Sequence, residues 1–475
     1  MRVINPAYAP LRPHQVWWWV GGVFSVLYIL VTPPYQGSDE HTHLCRVYQL
    51  TEGQLLGEKR WVAGQPVAGG ELPVSLLRTK RALSDSVAFN PTKHVSVDSI
   101  AAALQYPLAP ERRAMLSFPN TVLYSPVVYA PQLPVVWLGR QLRLSPLVLL
   151  YLGRVACALL SLWLVGLALR RLPWARWAML FVVLLPMGFF QGVIFSADAV
   201  NHGVAMLFLA TVLQTATGGG LITRRRKAEL FALALALALA KTAYVPLLLL
   251  GLLIPLRRWG KGAVVQLLFF GGVPLLLAAG WGMLNTDRYL SVRPGENVHL
   301  EDQLAFLREH TGYFPEVLAR SAIDQTGKAK ILWMAALGMS EVYFPRVFYS
   351  VYDKLLLLLF LFGARRVSLQ WLTPGRRLAL AGTAFLTWAV MLLFIYLSFS
   401  QVGEPYIHGN LGRYYIPIVP VLLLALPLPF SYRLPEALRR WGRAIAIGLP
   451  ALILLAGLFA LLFRFYGGRE LYNTF

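Results

Sequence analysis

Residues 16–43 read VWWWVGGVFSVLYILVTPPYQGSDEHTH, and this stretch decides the fold. The apolar run from Val16 to Thr32 approaches the ~20 residues that a helix needs to cross a bilayer. Pro33-Pro34 ends it, and Asp39-Glu40-His41-Thr42-His43 follows at once. Arg2 and Arg12 precede the run, and no small-x-small cleavage site comes after it. An uncleaved first span with a cytoplasmic N-terminus is expected.

The rest of the chain repeats that pattern. Of 475 residues, 57% are hydrophobic and 14% charged. A soluble domain carries about 25% charged residues, so this chain lacks the charge to coat a water-exposed surface. Lys and Arg number 44 against 22 Asp and Glu, a formal charge of +22. The basic residues cluster in short loops between apolar runs, which argues against nucleic acid and for anionic membrane lipids. Cys45 lies in a polar segment and Cys157 in an apolar one, so no bridge between them is expected.

Further apolar runs fall at 147–169, 175–195, 197–216, 262–284, 378–399, 412–430 and 445–465, with a shorter one near 350–364. Pro126, Pro131 and Pro134 interrupt 122–142, which reads as an interfacial helix. The stretch 228–256 reads as a hairpin of two short helices broken at Lys241-Thr242-Ala243-Tyr244-Val245-Pro246, because both of its flanks are basic. The loops 365–377 and 433–443 then fall on the same inner side. The expected fold is an all-α polytopic membrane protein of about eleven spans. Residues 1–475 form a single integral membrane domain, with large outer segments at 33–146, carrying interfacial helices, and at 285–349.

That topology sends polar residues from four distant segments to the outer face. Asp39, Glu40, His41 and His43 come from the first, Gln191, Asp198, Asn201 and His202 from the second. Lys241 and Tyr244 come from the hairpin tip, and Glu404, His408, Arg413, Tyr414 and Tyr415 from a late loop. Ionisable groups at membrane depth are costly and face a cavity or a partner. Simpler readings exist for each: Asp39 and Glu40 start a helix, Asp198 caps one, Lys241 snorkels and Arg413 anchors a span. Arg154 sits inside a span with no partner legible in the sequence. Asp39 and His43 are four apart, which leaves a divalent metal open on only two ligands. No phosphate-binding glycine loop, dinucleotide fingerprint or nucleophile elbow is present.

The stretch from Pro33 to His43 resembles the opening of a bacterial polytopic family defined only as domain of unknown function 2142. Tyr124-Ser125-Pro126 through Gly139-Arg140, Leu152-Gly153-Arg154, Ser196-Ala197-Asp198, Lys241 with Tyr244 and Pro246, and Gly412-Arg413-Tyr414-Tyr415 with Pro417 fit the same family. Its layout is similar to GT-C fold glycosyltransferases, which carry an acid right after span one. The resemblance implies transfer of a sugar from a polyprenyl-phosphate-linked donor to an envelope glycan, lipid or protein, with inversion. The site would face the periplasm or exterior of a bacterial cytoplasmic (inner) membrane. In that reading Asp39 is the base and Glu40 its support or alternate. Arg413 and Lys241 meet the lipid phosphate, while His41, His43, Asp198, Tyr244, His408 and Tyr414 bind substrate. The second outer segment carries no acceptor-defining motif. A lipid-linked sugar transporter or a non-enzymatic envelope-assembly protein is the alternative.

Overall fold

Pro13 opens the first helix at a position where its missing N–H costs nothing, and Pro33 ends it by holding Thr32 extended (φ −70°, ψ 115°). The computed structural model describes residues 11–291, 297–363, 366–409, 411–428 and 435–467. Arg2, Asn410 and the first residues of the 433–443 loop lie outside these, as does part of the 285–349 segment. Among the described residues, six helices are long and apolar enough to cross a membrane: Pro13–Val31, Pro146–Arg171, Asp198–Thr217, Ala263–Leu284, Pro374–Phe399 and Glu436–Tyr466. A seventh crossing arises if Arg176–Val183 and Pro186–Val193, bent by 64° at Pro186, count as one.

Two of these helices mark the extremes of environment. Asp198–Thr217 is buried on nearly every side, so its apolar residues surround it rather than form a stripe. Ala263–Leu284 leaves Val265, Leu268, Leu276 and Met283 exposed, a surface that only lipid suits.

The shorter segments follow the prolines and one polar residue. The 228–256 stretch breaks at Lys241, whose extended backbone (φ −155°, ψ 110°) separates Arg224–Ala240 from the 3-10 helix Thr242–Leu253. Residues 122–142 form a 3-10 turn, Pro126–Tyr129, and a ten-residue helix, Gln132–Gln141, too short to cross a bilayer. A correction falls at 412–430, which is not a continuous helix. Gly412–Tyr415 is a 3-10 turn and Val419–Leu423 a five-residue helix, because Pro417 and Pro420 remove the N–H groups that a longer helix needs.

The all-α expectation also needs correcting. The 33–146 segment holds a three-stranded antiparallel sheet, Glu58–Val62, Gln65–Pro73 and Arg113–Ser117, with the middle strand central. Glu58 pairs with Gly69, and Gly69 pairs in turn with Ser117. Gly69 is required there, since a Cβ would stand 1.9 Å from the Leu116 carbonyl oxygen. A second ladder joins Ala336–Leu337 to Val342–Tyr343.

The bundle has two chemically different ends. At one, Arg171 donates to Thr211 (2.8 Å) and pairs with Glu229 (2.5 Å), and Ile222 N–H donates to the Arg258 carbonyl (2.8 Å). Arg377 donates to the Pro427 carbonyl (2.8 Å) at that same end. At the other, Arg154 binds Glu40, Ser125 reaches the Leu239 carbonyl (2.7 Å), and Trp281 reaches the Leu123 carbonyl (2.8 Å). The first end is made of short basic connections between helices, such as those at 224–227 and 257–258. The candidate site lies at the second.

Candidate functional site

Asp39 caps the Glu40–Thr51 helix with a left-handed backbone (φ 62°), a conformation Asp tolerates better than most residues. That turn points Asp39 and Glu40 in different directions. Glu40 is buried and receives Arg154 through two bonds, Nε to Oε1 at 2.7 Å and Nη2 to Oε2 at 2.6 Å. Gly37 N–H (3.1 Å) and Phe195 N–H (3.0 Å) complete its shell. Arg154 spends its remaining donors on the carbonyls of Ile29, Thr32 and Pro33. The partner of Arg154 is thus the second acid of the pair.

Asp39 instead keeps 33% of its side-chain surface open, toward a cavity of about 510 Å³. Its Oδ1 accepts from Asn120 Nδ2 at 3.0 Å and its Oδ2 from Arg413 Nη2 at 2.7 Å. Arg413 Nε lies 3.7 Å from Asp198 Oδ2, so one guanidinium bridges two carboxylates. Asp198 Oδ1 accepts from Asn201 Nδ2 (3.2 Å) and lies 4.0 Å from His202 Nε2. Burial is the largest influence on the Asp39 pKa and raises it, but the Arg413 charge, the His43 ring and the Arg413 hydrogen bond together outweigh it and hold the carboxyl below its ordinary range. Burial pushes His43 down to about 4. Its imidazole, with Nδ1 2.8 Å from the Tyr129 hydroxyl, is neutral at pH 7.

Gly412 sets Arg413 in place. A Cβ on it would stand 1.9 Å from the Leu332 carbonyl carbon, so the 3-10 turn packs directly on the backbone of the Tyr313–Met334 helix. The next residue, Tyr414, forms a floor for Lys241, whose Nζ lies 3.5 Å from its ring centroid and 5.5 Å from that of Tyr244. Tyr244 OH donates to the Tyr414 carbonyl at 3.1 Å. Among the described residues, no carboxylate lies within ion-pair distance of Lys241.

The cavity wall is divided. Asp39, His43, Asn120, Asp198, Lys241 and Arg413 form a polar side, and Met391, Phe394, Ile395 and Phe399 of the Pro374–Phe399 helix form an apolar one. Of the residues singled out in the sequence, Asp39, His43, Asp198, Lys241, Arg413 and Tyr414 line it, with Tyr244 directly behind. Three expectations need correction. Glu40 is locked on Arg154, away from the cavity. His41 turns to Cys45 (3.6 Å), and His408 pairs with Glu404 (2.6 Å) with nearly half its side chain exposed. Asn120 lines the cavity from a turn after Pro119 with no motif that marks it, and Tyr124 joins it from the Tyr124-Ser125-Pro126 block.

Both cysteines are free and buried. Among the described residues, no three His, Cys, Asp or Glu side chains converge as metal ligands. The donor set does not suit a divalent ion, because Arg413 occupies the space between the two carboxylates and Tyr129 engages His43.

Helices of this length around a charged cavity define a polytopic membrane protein with a buried polar site. The chain belongs to the family described as predicted membrane protein (DUF2142), which matches residues 23–422. No curated protein and no solved structure matches the chain.

Proposed function

We propose that the cavity is the active site of a GT-C type glycosyltransferase, which moves a sugar from a polyprenyl-phosphate-linked donor to an envelope acceptor. One observation carries the reading: the Lys241 ammonium, without an ion-paired acid among the described residues, and the Asp39 carboxylate face the same half-polar, half-apolar space. A lipid phosphate needs an available cation, its tail needs an apolar wall, and an attacking hydroxyl needs a base. Asp39 takes the acceptor hydroxyl proton as that oxygen attacks the anomeric carbon. The bond from that carbon to the phosphate oxygen breaks, and the leaving phosphate keeps the electron pair beside Lys241. Direct displacement inverts the anomeric centre.

Arg413, first read as a phosphate ligand, serves better as the bridge that keeps Asp39 ionised and aimed. His43 and Asp198 line the acceptor side. Glu40 is a positioning residue.

The end with the short basic loops is the cytoplasmic one in this reading, by the positive-inside rule, and the site faces the exterior. The hairpin within the expected layout is supported by two short segments. Arg224–Ala240 and Thr242–Leu253 meet at Lys241 beside the site, and their other ends carry Arg224 and lead to Arg258. A reconstituted assay offering polyprenyl-phosphate sugars tests the reading. Consumption of one donor with release of polyprenyl phosphate supports it. Intact donor appearing across the membrane without bond cleavage would make the protein a transporter and overturn it.

A further inference from the structure

From Arg154, beside Glu40, the Pro146–Arg171 helix runs another 17 residues, about 25 Å at the helical rise, to Arg171. There, at the end opposite Asp39, a second cavity of about 390 Å³ opens between three helices. The start of Arg176–Val183, the end of Arg346–Leu361 and the first turns of Glu436–Tyr466 enclose it. Ala175, left-handed at φ 52°, donates its N–H to the Gly363 carbonyl at 3.2 Å and pins the first two elements together.

The lining again has two chemistries. Leu355, Leu358, Leu359 and Phe362 make an apolar wall, while Arg439 and Arg443 stand on the facing helix. Arg176 also lines the cavity, and among the described residues no acid does. Glu436, just outside, takes Arg443 Nη2 at 2.5 Å and lies 3.9 Å from Arg440 Nε. Among the described residues, no carboxylate comes within ion-pair distance of Arg439. The wall continues onto open helix surface, where Leu358 is 45% and Trp441 70% exposed.

We propose that this cavity binds one anionic glycerophospholipid. Its phosphate lies between Arg439 and Arg443, its acyl chains follow Leu355, Leu358 and Phe362, and Trp441 sits at headgroup depth. The charge pattern selects the lipid. A zwitterionic headgroup brings an ammonium as well as a phosphate, and Glu436, the acid beside the cavity, is already held by Arg443. The site stands apart from the Asp39 cavity and does not depend on the proposed transfer reaction.

The test uses the purified full chain in detergent, titrated with phosphatidylglycerol and, separately, phosphatidylcholine, with bound lipid read by native mass spectrometry. Phosphatidylglycerol is expected to bind at least tenfold more tightly, a preference that Arg439→Gln/Arg443→Gln abolishes while lipid-free melting stays unchanged. If the double variant melts early, Arg439→Gln alone, at an exposed position, reads the same loss. Equal binding of both lipids by the unaltered protein would overturn the proposal. So would a phosphatidylglycerol preference surviving in the variants, or inorganic phosphate binding as tightly as the lipid.

Discussion

Arg154 and Glu40, 114 positions apart, close a buried ion pair through two parallel bonds of 2.7 and 2.6 Å. The same guanidinium binds the carbonyls where the first span ends, so one side chain ties that span, the second span and the helix carrying the acids into a unit. The adjacent Asp39 is therefore held rigidly at the cavity edge. Of two neighbouring acids, one is a foundation and the other faces the open space.

Glu40→Gln is expected to destabilise the protein strongly. The amide can keep one acceptor but leaves the Arg154 charge without its counter-ion in a site closed to water. Breaking a buried pair of this kind costs ~3–5 kcal/mol. Thermal melting in detergent should fall well below that of Asp39→Asn. Equal melting of the two variants would refute the division of roles.

Asp39→Asn is expected to lower turnover by about 10²–10⁴-fold, the usual contribution of a general base. Melting should fall by less than in Glu40→Gln, because the amide oxygen can still accept from Arg413, which keeps Asp198, and only the Asn120 bond is lost. Transfer by the purified variant at the normal rate would remove Asp39 from the mechanism.

Much of this was legible in the sequence, for identifiable reasons. Long apolar runs bounded by prolines and arginines mark spans because a bilayer offers the backbone no partners. The break at Lys241 is legible because a charged residue inside an apolar stretch needs a place to go. The sheet is not legible. Its hairpin turns at Ala63-Gly64, both at positive φ (47° and 77°), and Ala is a weak signal where Asn is the usual one. The split between Asp39 and Glu40 is also hidden. It depends on one left-handed backbone angle and on a partner from a distant helix, neither of which adjacent letters encode. At Gly412–Leu423 the apolar content suggests a span, while the spacing of the prolines dictates the broken path.

Gly412→Ala is expected to lower both melting temperature and activity. The new Cβ would stand 1.9 Å from the Leu332 carbonyl carbon and 2.1 Å from the Trp333 nitrogen, and backbone atoms cannot turn aside. Overpacking of this kind costs about 1–3 kcal/mol and here pushes Arg413 off both carboxylates. Gly448→Ala is the control, since nothing lies within 4 Å of its added Cβ. That variant should melt at or above the parent temperature, as alanine favours helix.

Acid should destabilise the fold before it discharges Asp39. His43 is held down to about 4 by burial, whereas an unfolded histidine titrates near 6.5. Between those values the unfolded chain takes up a proton that the folded chain refuses, so stability falls as pH drops from 6.5 toward 4. At pH 5 the loss is on the order of 2 kcal/mol. Asp39 has the opposite chemistry but the same sign: its lowered pKa adds stability that is present above the ordinary carboxylate range and lost only as pH falls through the lower folded value. Melting curves from pH 7 to 4.5 should therefore decline, and His43→Gln should remove part of the decline above pH 5, since burial holds His41 down to about 4 as well. A slope unchanged by that substitution would place the titration elsewhere.

Lys241→Gln is expected to weaken donor binding by tenfold or more while leaving the fold intact. The ammonium rests on the Tyr414 ring at 3.5 Å and among the described residues has no carboxylate at ion-pair distance, so its removal breaks no ion pair. A charged hydrogen bond to phosphate is worth about 1.5–3 kcal/mol, which corresponds to roughly 10- to 150-fold in affinity. Arg413→Ala should behave differently, because it leaves Asp39 and Asp198 facing each other without the bridging cation and so harms the fold together with binding. Donor dissociation constants and melting temperatures on the same two purified variants separate these effects. If Lys241→Gln binds a polyprenyl-phosphate sugar as well as the parent protein does, Lys241 is held for its contact with the tyrosines, and the phosphate must be met by another cation.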